Sequence, residues 1–311
     1  MNNLIPPFIQ EQAIKDLDEG HFVAYAMFID LSGFTPLTET LMKRGNEGAE
    51  QLSIILNDIF APMVALVYER GGMIPYFAGD AFTAIFPVDQ FSINAISFVK
   101  TAQDIRDLFS LEGFKQKQFG DFSIGIKIGL SFGNVEWGII GDKHKQFYFR
   151  GTAIDNSAES EHHASDKEII FDQNLYKKLS QVTEVTVANV AEGFFRLEND
   201  VKSAIEFGAP SELPKLKKKI ARAFLPKAVI NYNQTGEFRN VVSVFISFTG
   251  VESHQLLNEF ATLILDEINR FSGYFKEIDF GDKGGVMLGF FGAPVSFENN
   301  IDRALEFVFA I

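Results

Sequence analysis

One pattern occurs twice in this chain: an apolar strand, a small-residue turn, a long helix and a glycine-marked hairpin. Residues 241–250 repeat the character of the segment around Asp30, and Phe271-Ser272-Gly273 that of Gly71-Gly72. Residues 285–292 repeat residues 80–87, and residues 301–311 follow as the helix near Phe91 does. The offset is a little over 200 positions, which reads as a domain duplication. Four segments follow: a lead-in over 1–20, a first domain over 21–200, a linker over 201–236 and a second copy over 237–311. The second copy stops inside its second long helix at Ile311, so it is expected to be truncated and the chain to be a piece of a longer protein.

The first copy is the more legible. A strand is expected from His21 to Asp30 and a long helical region from Phe34 to Tyr68. Leu52, Ile55, Leu56, Ile59, Met63 and Leu66 share one face of that helix, and Gly71-Gly72 closes it. Strands over 74–77 and 81–86 meet at Gly79-Asp80, and a helix is expected over 91–109. A strand over 123–130 alternates apolar residues with small or basic ones, and another begins near Asn134. Strand 147–150, a small-residue helix after Gly151 and further strands over 185–197 complete the domain. Strand, helix, hairpin, helix and strands in that order describe an α+β sandwich with a largely antiparallel sheet.

Two aspartates stand out. Asp30 ends an apolar strand and precedes Ser32-Gly33, and Asp80 follows Gly79 at the hairpin. A lone Asp at a strand end is commonly a turn residue or helix cap. If the two strands are neighbours, however, the carboxylates converge, and close anions are costly without a cation between them. Oxygen ligands of this kind suit Mg²⁺ or Mn²⁺ held together with phosphates. The second copy has Ser247 and Gly285 at the matching places, so both candidate ligands are lost there.

Composition narrows the classes. Apolar residues make up 46% and charged residues 22% of 311, a globular balance, and most of the 34 Phe fall in periodic segments as core. The chain has no Cys, which excludes disulfides and thiolate chemistry. No continuous apolar run of membrane length and no signal peptide is read, so no membrane association and a cytoplasmic setting are expected. A net charge of −13 argues against nucleic acid as a partner. The basic run Lys215 to Lys219 reads as a solvated linker, and His162-His163 as a surface pair.

Asp-x-Ser-Gly-Phe-Thr at 30–35, a long helix, Gly71-Gly72 and Phe-x-Gly-Asp-Ala-Phe at 77–82 together resemble class III nucleotidyl cyclases. Among these the chain is most similar to the tandem soluble adenylyl cyclase type, over residues 22–200. The resemblance implies a ferredoxin-like cyclase catalytic domain, mostly antiparallel sheet flanked by helices, and a pseudo-dimer of two unlike domains. It also implies conversion of a nucleoside triphosphate, ATP in preference to GTP, to a cyclic monophosphate and pyrophosphate.

By the same resemblance, Asp30 and Asp80 are the catalytic carboxylates and bridge two Mg²⁺ or Mn²⁺, with the Leu31 carbonyl as a further metal ligand. The amides of Ser32, Gly33, Phe34 and Thr35 hold phosphates, and Lys127 is the phosphate-contacting base of the family. Glu277 aligns with the family's base-reading position and Lys276 stands one residue before it: Lys there suits adenine and Glu suits guanine. A one-residue shift would turn either to the other sheet face. Asp155 and Glu159 stand where catalytic second halves carry transition-state Asn and Arg, so the first copy is not expected to fill that role. A bicarbonate-responsive relative carries Lys and Arg at the Tyr76 and Ala158 positions, so bicarbonate activation is not expected. A non-catalytic nucleotide-sensing module is the alternative function. A cyclic-dinucleotide synthase is disfavoured, because the hairpin lacks the signature of that group.

Overall fold

The computed structural model describes residues 4–88, 93–109, 124–202, 216–231, 238–281 and 284–311. Phe91, Ser123, Lys215, Asp282 and Lys283 lie outside them. The first unit is built on a sheet whose central strands are β1 (Glu19–Ser32) and β4 (Gly125–Ile140). They pair antiparallel along their length, with Asp30 opposite Lys127 and Phe28 opposite Gly129. With β2 (Phe77–Ala78), β3 (Ala81–Pro87), β6 (Ile169–Asp172), β7 (Val187–Ala191) and β8 (Phe194–Leu197) the order is β2-β3-β1-β4-β6-β8-β7. β5 (Gln146–Arg150) turns back on β4, and β4–β6 pair in parallel while the other pairs are antiparallel.

Alternation along β1 sends its residues to two cores. Tyr25, Met27, Ile29 and Leu31 pack under α2 (Phe34–Met42), α3 (Gly45–Glu69), α4 (Ala95–Leu108) and α6 (Gln173–Ser180). Ala24 and Ala26 face the opposite core with α1 (Pro7–Ile14), α5 (Thr152–His162) and α7 (Lys218–Phe224). α3 is long and apolar enough to cross a membrane by composition, but Leu52, Ile55, Ile59, Met63 and Val67 form the buried row that covers the sheet.

Several expectations are corrected. The expected lead-in is part of the core: Ile5, Phe8 and Ile9 are buried, and Phe8 meets the Trp137 ring edge-on at 5.2 Å. The expected linker holds α7, whose Ile220 and Phe224 are buried in the same core, and the short α8 (Lys227–Ile230). The helix from Phe34 breaks at Gly45, whose φ of +62° suits glycine. The strand expected over 74–77 shrinks to Phe77–Ala78, because Pro75 has no N–H to give a ladder; Met73 makes an isolated bridge to Ile85. The two strands read over 123–130 and from Asn134 are one, β4.

The second unit contains β9 (Val242–Phe248), α9 (His254–Arg270), β10 (Tyr274–Gly281), β11 (Gly284–Phe291) and α10 (Asn300–Ala310). Its sheet order, β10-β11-β9, is that of β2-β3-β1, and Ser247 faces Val286 as Asp30 faces Ala81. The β4–β5 hairpin reaches into this unit: Ile140 and Tyr148 are part of its core, and Gly141 N donates to Asn258 Oδ1 at 2.8 Å.

Candidate functional site

β1 and β3 are neighbours, so the two aspartates meet. Asp30 pairs with Ala81, the residue after Asp80, and Leu31 N donates to the Asp80 carbonyl at 3.3 Å. Asp30 shares its sheet face with Lys127, directly across the ladder. The Lys127 Nζ lies 3.7 Å from Asp30 Oδ2 and 3.0 Å from Glu161 Oε1. Burial, then the Glu161 and Asp80 carboxylates, raise the Asp30 carboxyl above its ordinary value, against the opposing pull of Lys127. Asp30 thus sits among two further carboxylates and one ammonium, and that ammonium is shared between Asp30 and Glu161.

The third anion was not singled out from the sequence. Glu161 is only 4% exposed, on the face of α5 that buries Ala153, Ile154, Ser157 and Ser160. Its place on that periodic face was the available signal. α5 reaches this depth because Gly129, Ser131 and Gly133 form a low row on β4. A Cβ on Gly129 would lie 2.0 Å from the Ser157 carbonyl oxygen and 2.3 Å from Glu161 N. Ser131 Oγ donates to the Ala153 carbonyl, and Ser160 Oγ to the Leu130 carbonyl at 3.1 Å.

Beyond Asp30 the chain turns through Gly33, in the left-handed region at φ +79°, and enters α2. Gly33, Phe34 and Thr35 stand at that helix start, where N–H groups lack intrahelical acceptors; Pro36 has no N–H to offer. Ser32 Oγ donates to Asp166 Oδ1 at 3.2 Å, and Ile126 N donates to the same oxygen at 2.9 Å. Asp166 is a second neighbour of the site that sequence reading passed over.

Lys276 and Glu277 lie elsewhere. They line a cavity of about 650 Å³ with Ile74, Tyr76, Phe77, Phe147 and Tyr274, which none of Asp30, Asp80 and Lys127 borders. A bulge between Phe275 and Glu277 leaves Lys276 without a ladder partner. Lys276 Nζ donates to Glu277 Oε2 at 2.5 Å and to the Phe77 carbonyl at 3.4 Å. The expected choice of one face or the other is therefore replaced by an ion pair. A smaller cavity between the units is walled by Tyr76, Ala158, Asp155, Glu159, His162 and Asp279. His162 and His163 sit beside Glu159.

Residues 22–202 match the family model described as the adenylate and guanylate cyclase catalytic domain. The match covers more than half of the chain, and the chain belongs to that family. It is 33% identical over 162 residues to adenylate cyclase type 10 of Homo sapiens, a stretch of 50% of this chain and 10% of that protein. It is 30% identical over 118 residues to the terminal-differentiation specific adenylate cyclase of Dictyostelium discoideum, covering 38% of this chain and 5% of that protein. The chain thus spans a tenth or less of these relatives. Among solved structures, the adenylyl cyclase CyaB of P. aeruginosa aligns with TM-score 0.50 and 20% identity, over 59% of this chain and 97% of that one. A bacterial light-regulated adenylyl cyclase aligns with TM-score 0.51 and 19% identity, over 65% and 60%. These two likenesses concern the fold, a mixed α+β cyclase catalytic domain.

Proposed function

We propose that this chain is the metal-carrying part of a nucleotidyl cyclase that converts ATP to 3′,5′-cyclic AMP and pyrophosphate. The observation that carries the reading is the convergence of Asp30 and Asp80 beside the Gly33 turn, within a domain of cyclase family membership. Two carboxylates and the Leu31 carbonyl give oxygen donors only, which fits Mg²⁺ or Mn²⁺. Among the described residues no group of three or more His, Asp or Glu is placed to hold a metal. A partial protein shell of this kind suits an ion that keeps water and takes phosphate oxygens. Like-charge crowding at Asp30 also fits a site completed by a cation.

A bound metal pair would lower the charge on the phosphates and polarise the ribose 3′-oxygen for attack on the α-phosphorus. Asp30 and Asp80 hold that charge in place. The amides of Ser32, Gly33, Phe34 and Thr35 turn donors toward the β- and γ-phosphates, and Gly33 allows close backbone approach. Lys127 offers a further cation. In the second unit, Lys276 presents donors suited to the acceptor nitrogen N1 of adenine, while its 2.5 Å contact occupies Glu277, which would otherwise accept from guanine. The matching strand orders of the two units support a pseudo-dimer in which unlike halves share one site. Asp155 and Glu159 support the same division, since carboxylates there repel a phosphorane.

The test is cyclic nucleotide synthesis by the protein that carries this chain, with Mn²⁺ and either ATP or GTP. Cyclic AMP should form in excess of cyclic GMP, and Asp30→Ala or Asp80→Ala should each abolish it. Undiminished synthesis in either variant overturns the assignment. A metal-dependent nucleotide binder without product would favour the sensing module instead.

A further inference from the structure

Glu161 is the buried charge that the proposed chemistry leaves without a task. A buried ion pair is seldom a net source of stability, since desolvation offsets most of the attraction. The position of Glu161 is nonetheless closely set: its backbone N packs over Gly129, and Ser160 beside it is tied to the Leu130 carbonyl. Its carboxylate ends 3.0 Å from the Lys127 ammonium, which stands 3.7 Å from Asp30. Lys127 therefore leans to Glu161, within reach of Asp30 but not bonded tightly to it.

Resting on the metal reading of Asp30, we propose that Glu161 is a positioning residue that holds Lys127 off Asp30. The Asp30 oxygen then stays open to a divalent cation, while the ammonium stays close enough to meet a phosphate. Without the Glu161 charge, the three donors of Lys127 would turn to Asp30 and compete with the metal for it. Glu161 acts in this way only through Lys127, which separates the proposal from a direct pull of its charge on the metal.

A double-mutant cycle tests it, read as the Mn²⁺ dissociation constant of the chain from the free-ion electron paramagnetic resonance signal. Glu161→Gln should weaken Mn²⁺ binding about tenfold, and Lys127→Met should not weaken it. In the Lys127→Met background, Glu161→Gln should change the constant less than about twofold. An unchanged constant in Glu161→Gln overturns the proposal, as does an equal loss in both backgrounds. If Glu161→Gln does not fold, Glu161→Asp carries the same cycle, since the shorter side chain lengthens the 3.0 Å contact. Asp30→Ala in the same titration separates the two levels. Mn²⁺ affinity insensitive to Asp30 overturns the metal reading and the proposal with it; affinity dependent on Asp30 but uncoupled at Glu161 overturns the proposal alone.

Discussion

Gly129→Ala should disturb the seat of α5 on the sheet more than its single added methyl suggests. The new Cβ would meet backbone, not a flexible side chain: 2.0 Å to the Ser157 oxygen, 2.3 Å to Glu161 N and 2.9 Å to Glu161 Cα. Real Cβ contacts stay above 3.0 Å, so α5 must retreat by roughly 1 Å. The helix is pinned by the Ser131 and Ser160 hydroxyls, which resist that retreat. The cost should fall near the top of the overpacking range, about 3 kcal/mol. For a domain of this size that corresponds to a fall in Tm of about 6–12 °C by thermal unfolding followed in far-UV circular dichroism. Gly193→Ala is the control: φ is +80° but no atom lies within 4 Å of the added Cβ, so only backbone strain, about 1–2 kcal/mol, is expected. A Tm for Gly129→Ala within 2 °C of the native value would refute the packing argument.

Other outcomes follow from the charges. Asp30→Asn should raise the Tm of the metal-free chain by removing like-charge repulsion, and should erase the Tm rise on adding Mn²⁺; a lower Tm would contradict the crowding. Because the Asp30 value is raised on folding, its contribution to metal-free stability is fully present below the ordinary Asp range and is lost as pH rises through the raised value. Asp30→Asn should flatten that part of the stability profile, and an unaltered profile would count against it. Tyr76 donates a hydrogen bond to the Asp279 carboxylate across the two units, so Tyr76→Phe should cost about 1.5–3 kcal/mol and raise the Asp279 value further. An Asp279 titration by nuclear magnetic resonance that is unmoved in Tyr76→Phe would exclude that bond.

Much of the first domain was legible because its signals are local. Asp30 and Asp80 each end an apolar run, and the register that brings them together follows from a short hairpin next to β1. The α3 face was readable from its period, with Val67 buried and Leu66 only part-covered. What escaped depended on distant partners. Ser131 and Gly133 lay between two expected strands, whereas together with Gly129 they are the low row on which α5 lies. Residues 1–20 read as a lead-in, but Phe8 finds Trp137 and Phe149 far along the chain. The bulge at Lys276 has no local sequence mark, so the pairing of Lys276 with Glu277 needed the ladder to be seen. Glu161 was passed over for the same reason: its partner, Lys127, is on another element.

The most direct measurement is isothermal titration of this chain with non-hydrolysable ATP and GTP analogues, each with and without Mn²⁺. The ATP analogue should bind more tightly than the GTP analogue, only with Mn²⁺, and its binding should be lost in Asp30→Ala and Asp80→Ala. Binding that needs no Mn²⁺, or that survives both substitutions, would contradict a metal and nucleotide site at these two carboxylates.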